Sequence, residues 1–205
     1  MDQLLAAAPA SLAILALTIV VSGFGLYVSP KIIERNLLRP YRMVRDQRYD
    51  TLITHGFIHA DFFHLFLNML TLYFFGPYLE QTIGTPKFVA LYFIGLLVAG
   101  LGTYYRRRRD PNYASLGASG AINTVMFAFI VYYPMVNIYV FLAIPVPAVL
   151  YAVLFLVYSY YSARQARDNI NHDAHFDGAI VGLLFVLVTE PSAWIHGLQR
   201  LIGGG

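Results

Sequence analysis

The chain has 205 residues, of which 58% are hydrophobic and 12% are charged, and its mean hydropathy is +0.59. Soluble domains carry roughly twice that charged fraction, so the composition favours a polytopic membrane protein, and the lack of cysteine excludes disulfides and a cysteine nucleophile. The formal net charge of +3 is attributed to basic loops beside a membrane and not to nucleic-acid binding.

Six apolar runs follow one another along the chain and predict six membrane spans. They cover approximately residues 10–28, 56–78, 88–105, 118–133, 146–161 and 175–188, within a single domain formed by residues 1–205. The first run has no basic residues before it and is too long for a signal-peptide core, so we interpret it as a retained helix. The expected fold is an all-α polytopic membrane protein, a bundle of six transmembrane helices.

Between the first two runs, residues 29–50 form a long loop with six Lys or Arg. Its apolar residues suggest an amphipathic element in the membrane interface; they are Ile32, Ile33, Leu37, Leu38, Tyr41, Met43 and Val44. The fourth and sixth runs are about 15 residues long, which is short for a span. We therefore expect them to begin inside a protein-lined, wet cavity.

Several polar side chains lie inside the predicted spans, where an ionisable group costs about 2.5–3.5 kcal/mol and needs a reason. His64 and Asn68 are four residues apart and share one helical face. His59 and Asp61 precede them by about one turn, and we expect both near the water interface.

Ser119 stands among small residues, in LGASGAIN, at the start of an apolar stretch without charge until Arg164. The sixth run begins with His175, which shares a helical stripe with Gly178 and Gly182. Small residues let another helix backbone approach closely, so we expect this stripe to pack against the start of the fourth span. That packing would bring the Ser119 hydroxyl and the His175 imidazole face to face.

Such a pair supports nucleophilic catalysis, because a serine hydroxyl needs a neighbouring base and neutral histidine fits that role near pH 7. The developing oxyanion needs donors, and the Ser119 N–H at a helix N-terminus is one candidate. The His64 ring and the Asn68 amide are two more. Gly117 and Gly120 would give the substrate backbone room beside the nucleophile.

Less specific explanations exist for each piece. A GASG helix start alone is typical of helix packing, and His64 with Asn68 alone is typical of interhelical hydrogen bonding. The histidines also suggest metal binding, but no H-E-x-x-H motif or carboxylate pair accompanies them, so no metal and no cofactor is predicted. GASGA approaches the nucleophile elbow of soluble hydrolases, but that motif needs a preceding strand. No segment of this sequence alternates like a strand.

Taken together, the motifs resemble those of the rhomboid intramembrane serine proteases, from about Tyr49 to Val188. The matching segments, in order, are HADFFHLFLN, GPYLEQTIG with Gly76, Glu80 and Gly84, GASG, and AHFDGAIVG. The resemblance implies a six-helix core, a Ser119–His175 dyad without an acid, and oxyanion donors from His64, Asn68 and the Ser119 amide. It also implies single-pass transmembrane proteins as substrates and a bacterial inner membrane as the location.

Two residues depart from the family pattern. Asn123 stands where some bacterial members have a tyrosine that packs on the histidine, so the imidazole must be held by another aromatic residue or a hydrogen bond. Asp177 is a charge where many members have none. It lies about 200° around the helix from His175, which argues against a triad acid.

The sequence leaves alternatives open for the orientation of the protein in the membrane and for its function. Twelve of the fourteen Lys and Arg fall on the side that carries Ser119, which the positive-inside rule assigns to the cytoplasm, whereas the family topology implies the opposite side. A catalytically inactive rhomboid-like protein that binds membrane clients is the first alternative function. A transporter is the second, and the absence of internal repeats disfavours it. The oligomeric state is open.

Overall fold

A computed structural model describes residues 7–140, 143–165 and 170–203. Its longer helices are α1 (Pro9–Tyr27), α5 (Phe62–Ile83), α6 (Thr85–Arg107), α7 (Ser119–Tyr132), α8 (Ala148–Gln165), α9 (His172–Thr189) and α10 (Pro191–Ile202). Short helical turns α2 (Pro30–Asn36), α3 (Pro40–Met43), α4 (Thr51–Thr54) and a 3-10 turn (His55–Phe57) connect α1 to α5. A two-stranded antiparallel hairpin, β1 (Asn137–Val140) and β2 (Ile144–Pro147), connects α7 to α8.

Within these described ranges, four helices are long and apolar enough to cross a membrane: α1, α5, α6 and α9. Helix α7 is apolar but has only 14 residues, as expected for an element that begins below the surface. The helical, polytopic architecture is confirmed, and the count of six spans stays a prediction. The expectation that no segment forms a strand was wrong, because the hairpin follows α7; no strand precedes Ser119 in the described residues.

Helix α5 lies further along the chain than the predicted second span, residues 56–78. Asp61 caps its N-terminus by accepting a hydrogen bond from the His64 N–H at 2.8 Å. Gly84, with φ of +82°, ends it in a conformation that favours glycine. Residues 56–60, which the sequence places in the span, belong to a 3-10 turn and a loop instead.

A buried carboxylate fixes α1 to α5. Glu80 is 1% exposed and accepts hydrogen bonds from the backbone N–H groups of Ala10 (3.0 Å) and Ser11 (2.7 Å). The Thr85 hydroxyl donates a third at 2.8 Å. Because the first N–H groups of a helix have no partner within the helix, this carboxylate satisfies the start of α1 while the α1 groups satisfy its charge.

Helix α7 is the centre of the bundle. Every residue from 120 to 131 is buried, which is the pattern of a helix surrounded by others. Helices α9, α6 and α5 pack directly around it. Ser119, at its N-terminal end, is therefore presented from the best-packed element of the protein.

Glycines bring α9 against α7 at backbone distance. A Cβ on Gly178 would lie 2.1 Å from the Gly120 carbonyl oxygen, and one on Gly182 would lie 2.4 Å from the Thr124 carbonyl oxygen. The Thr124 hydroxyl lies between the two helices, 2.9 Å from the Gly178 carbonyl and 3.1 Å from the Gly120 carbonyl. The expected packing role of Gly178 and Gly182 agrees with these contacts.

The contact between α7 and α9 predicts a strong effect of a single methyl group. Gly178→Ala should lower the free energy of unfolding by about 3 kcal/mol, the upper end of overpacking costs, because the Gly120 backbone cannot move aside. Thermal unfolding in neutral detergent, followed by circular dichroism, measures this. Gly23→Ala is the control, since that site in α1 has no atom within 4 Å of a new Cβ. Equal midpoints for the two variants would contradict the packing argument.

Candidate active site

Ser119 is the first residue of α7 and follows a loop that only glycine can form. Gly117 has a φ of +111°, in the left-handed region where a side chain is strained. The loop is held by the Gly117 N–H, which donates to the His55 carbonyl at 2.9 Å. The Ser119 N–H has no acceptor in the described part of the chain, as expected for an N-terminal helix position.

The His175 ring lies against the Ser119 side chain. The distance from His175 Nε2 to Ser119 Oγ is 2.8 Å, which is a good hydrogen-bond length. His175 is in the first turns of α9 and Ser119 is at the start of α7, so the close helix contact puts both at the same end of the bundle. In this geometry, neutral imidazole can accept the hydroxyl proton.

An aromatic residue from α8 packs on the His175 ring in place of the tyrosine that some relatives have. The Phe155 ring is roughly parallel to it, with centroids 6.3 Å apart and an interplanar angle of 28°. The His172 ring meets it edge-on at 6.0 Å. Asn123 instead donates from its amide to the Ser119 carbonyl at 2.8 Å. Phe155 was not singled out in the sequence, because one aromatic in an apolar helix gives no signal.

His64 and Asn68 line the same cavity as Ser119 and His175, a space of about 940 Å³. The Asn68 amide donates one hydrogen to the His64 carbonyl at 2.8 Å, and its second hydrogen is left for another acceptor. Gly117 lies against the His64 ring, because a Cβ there would be 2.7 Å from His64 Cε1. The four polar residues that the sequence suggested are thus brought to one cavity.

Gly120 also lines this cavity. Its contact with α6 explains why a glycine is required at this position. A Cβ at this position would lie 2.5 Å from the Ala99 Cβ on α6. Gly117, by contrast, combines the left-handed backbone with a place beside His64. The substrate-approach role predicted for the two glycines stays a prediction.

The expected place of His59 near the water interface stays a prediction, and within the protein His59 lies in the interior. It is fully buried, with Nδ1 at 2.9 Å from the Ser22 hydroxyl. Ser22 has one hydroxyl proton, and the Phe57 carbonyl at 3.0 Å can only accept it. His59 must therefore donate from Nδ1, which leaves Nε2 as the acceptor for the Ala118 N–H at 3.4 Å. Through His59, α1 supports the residue before Ser119.

Asn171 fixes the start of α9, the helix that carries His175. Its side-chain oxygen caps α9 by accepting from the Ala174 N–H at 3.1 Å. Its amide nitrogen donates to the Thr103 hydroxyl of α6 at 2.9 Å and to the Ser115 hydroxyl at 3.1 Å. This residue was also not identified in the sequence, although an asparagine four positions before His175 is a typical N-cap signal.

The carboxylates near His175 pair with arginines on α6. Asp177 forms an ion pair with Arg106, and Asp173 lies 3.5 Å from Arg106 and 3.9 Å from Arg107. Gly102 leaves room for the Asp177 carboxylate. Asp177 thus faces α6, while His175 faces Ser119.

Comparison with known proteins identifies the family. The Rhomboid domain profile matches residues 46–192, and the chain therefore belongs to the rhomboid family. It is similar to RHOMBOID-like protein 12, mitochondrial, of Arabidopsis thaliana, with 29% identity over 191 residues that cover 82% of this chain and 56% of that protein. Rhomboid protein 1, mitochondrial, of Saccharomyces cerevisiae is 29% identical over 185 residues, covering 86% and 53%.

A bacterial relative shares a shorter region. The "Putative rhomboid protease YdcA" of Bacillus subtilis is 32% identical over 100 residues, which cover 48% of this chain and 49% of that protein. The chain spans about half the length of the curated relatives named here. Family membership and the apolar helices identify a multi-pass integral membrane protein with a rhomboid-like fold.

The buried histidines behind Ser119 predict acid lability. Burial, reinforced by the neighbouring His64, lowers the pKa of His59 from 6.5 to about 3, and burial lowers the pKa of His55 to about 4. Below about pH 6.5, these two histidines bind protons in the unfolded chain but not in the folded one. The free energy of unfolding is therefore highest above that pH and decreases toward pH 4. At pH 5, each of the two histidines should lower the free energy of unfolding by about 2 kcal/mol.

Unfolding midpoints measured between pH 7.5 and 5 test this. His59→Gln should be less stable than the wild type at pH 7.5 but should lose roughly half as much on acidification, since one of the two histidines is gone. His196→Gln, at an exposed position of α10, should follow the wild type. A His59→Gln profile parallel to the wild type would show that His59 does not contribute.

Proposed function

We propose that this chain is an intramembrane serine endopeptidase that cleaves transmembrane-helix substrates by a Ser–His dyad. The observation that carries the proposal is the 2.8 Å contact between His175 Nε2 and Ser119 Oγ inside a cavity lined by candidate oxyanion donors. Family membership and the printed name of the bacterial relative support a protease. The bacterial inner membrane is the proposed location, although the first two relatives named here are mitochondrial.

In the first half-reaction, Ser119 Oγ attacks the scissile carbonyl carbon while its proton passes to His175 Nε2. The carbonyl electron pair moves onto oxygen and forms a tetrahedral oxyanion. The resulting imidazolium then gives its proton to the leaving amine as the C–N bond breaks, and the acyl group stays on Ser119. The stacked Phe155 ring restricts the imidazole to orientations near Oγ.

The oxyanion is stabilised by groups that are available before the substrate binds. The Ser119 N–H points out of the helix start, and His64 and Asn68 line the adjacent wall. Removal of one such donor typically slows acyl transfer by 10²–10³-fold. The Ser119 N–H is supplied by the fold itself, while His64 and Asn68 are open to mutation.

In the second half-reaction, His175 takes a proton from water, whose oxygen attacks the acyl carbon. The bond from that carbon to Ser119 Oγ then breaks, His175 returns the proton to Oγ, and the second product leaves. The cavity holds polar residues from the loop side, among them Asn112, Ser115 and Asn171, and so offers water a hydrated path. The 14-residue length of α7 would serve the same purpose if its N-terminus begins below the membrane surface.

Substrate entry is assigned to α8 by family resemblance. This helix buries only Ala148, Ala152 and Ser159 along its described length, so its attachment to the bundle is weak. Part of the loop before His175, residues 166–169, lies outside the described residues. A transmembrane helix that enters beside α8 would meet Tyr151 and Phe155 of that helix at the cavity wall.

The alternative, an inactive relative that binds membrane clients, predicts no covalent chemistry. Ser119 is partly exposed to the cavity, so a fluorophosphonate probe should label the protease at this residue and leave an inactive binder unlabelled. The Ser119→Ala chain supplies the background.

Ser119→Ala and His175→Ala should each reduce cleavage of a single-pass substrate by at least about 10³-fold, because the members of a catalytic unit act together. Gel-based cleavage in detergent measures this. Ser162→Ala, another cavity-lining serine, and His196→Ala are matched controls that should cleave normally. Full cleavage by either active-site variant would refute the mechanism.

Asp177→Asn should keep cleavage within about tenfold of the wild type, since the lost ion pair with Arg106 is partly exposed and worth about 1 kcal/mol or less. The same assay and an unfolding midpoint measure the two effects separately. Unmeasurable activity together with an unchanged midpoint would instead identify Asp177 as a third catalytic residue.

A further inference from the structure

A second, smaller pocket lies on the loop between α1 and α5 and shares no residue with the cavity that holds Ser119. We propose that this arginine pocket binds the phosphate headgroup of an anionic phospholipid. Its volume is about 170 Å³, and its lining consists of Glu34, Arg35, Leu37, Arg39, Arg42, Met43, Asp46, Arg48 and Thr51. The inference concerns lipid binding and does not depend on the proposed protease activity.

The charge of the lining is unbalanced. Four of the nine residues are arginines and two are carboxylates. Glu34 is paired with Arg39, and Asp46 is paired with Arg45 from outside the pocket. The side chains of Arg35 and Arg42 have no hydrogen bond or ion pair in the described part of the chain. Arg42 interacts with Asp46 only at longer range. The arginines of the lining still outnumber its carboxylates, and this excess of positive charge suits a bidentate phosphate ligand.

Another arginine is already fixed in place. Arg48 donates to the Asp50 carboxylate from Nε at 2.9 Å and from Nη2 at 3.0 Å. Its Nη2 also donates to the Arg35 carbonyl at 2.6 Å. Arg48 therefore ties the end of α2 to the turn after α3. This contact orders one wall of the pocket before any ligand binds, which lowers the entropic cost of binding.

The surroundings indicate that the phosphate belongs to a lipid. Tyr41, Val44 and Tyr49 border the pocket in sequence and are 46%, 49% and 52% exposed. Exposed aromatic and aliphatic side chains beside arginines are typical of an element lying at the headgroup level of a membrane. The chain spans the membrane, so this loop meets lipid headgroups at high local concentration, which a soluble phosphate does not reach.

The floor of the pocket is connected to the candidate active site. Leu37 lines the pocket, and the next residue, Leu38, exchanges two backbone hydrogen bonds of 2.9 Å with Ser115. Ser115 in turn accepts from Asn171, the cap of α9. A bound headgroup would therefore stabilise the loop on which the starts of α7 and α9 rest.

The test uses the full chain in neutral detergent with added phosphatidylglycerol or phosphatidylcholine. Phosphatidylglycerol should raise the thermal midpoint and remain bound in native mass spectrometry, and phosphatidylcholine should do neither at the same concentration. Arg35→Gln with Arg42→Gln should weaken phosphatidylglycerol binding by roughly 25-fold, and Arg42→Gln alone by roughly fivefold, as expected for single charges near a lipid surface.

The matched control is Arg108→Gln with Arg109→Gln, which removes two charges from a loop outside the pocket. It should bind phosphatidylglycerol like the wild type. Equal loss in both double variants would mean nonspecific charge attraction and would overturn the proposal, as would no loss in either. If the double variant does not fold, Arg42→Gln decides alone. A midpoint rise produced equally by inorganic phosphate would replace the lipid with a soluble anion and overturn the proposal too.

Discussion

The backbone contact between α7 and α9 sets the distance on which the candidate site depends. Gly178 and Gly182 place α9 directly against the Gly120 and Thr124 carbonyls of α7. The first residue of α7 and the first turns of α9 then lie side by side, which brings the Ser119 and His175 side chains into contact. In a membrane, where apolar side chains gain little by leaving lipid, such close packing and the interhelical bonds of Thr124 are the available sources of stability.

The imidazole is supported by a helix different from the one that the family pattern suggests. Asn123 is directed back to the Ser119 carbonyl, and stacking on His175 comes from Phe155 of α8. The same helix is the proposed substrate gate and is the least buried of the helices around the site. In the proposed mechanism, movement of α8 away from the bundle would expose the cavity and also remove the ring that orients the base. Substrate entry and the orientation of the base would then both depend on the position of α8, which would have to return before His175 acts.

Much of this arrangement could be predicted from the sequence. The apolar runs located the helices, and the helical spacing of His175, Gly178 and Gly182 predicted which face of α9 meets α7. His64 and Asn68 were found because polar groups in a span are costly and need a reason. The resemblance to the rhomboid family is confirmed by the profile match over residues 46–192.

What the sequence did not reveal depends on contacts between distant segments. The burial of His59 follows from its bond to Ser22, 37 residues earlier, and no local pattern encodes that contact. The hairpin between α7 and α8 pairs only four residues on each side, too few to give a clear alternation. The start of α5 was placed too early because the apolar residues before Asp61 look like helix, while the Asp61 cap fixes the actual boundary.

Three polar side chains supply a hydrogen-bond partner to backbone groups at the start of a helix. Glu80 satisfies the start of α1, Asn171 the start of α9, and His59 the N–H of Ala118 at the start of α7. At the start of α7, the Ser119 N–H has no acceptor in the described part of the chain, and Ser119 lines the cavity. In the proposed mechanism this N–H would donate to the oxyanion, so the cost of leaving a backbone group unsatisfied in the free protein would be offset in the transition state.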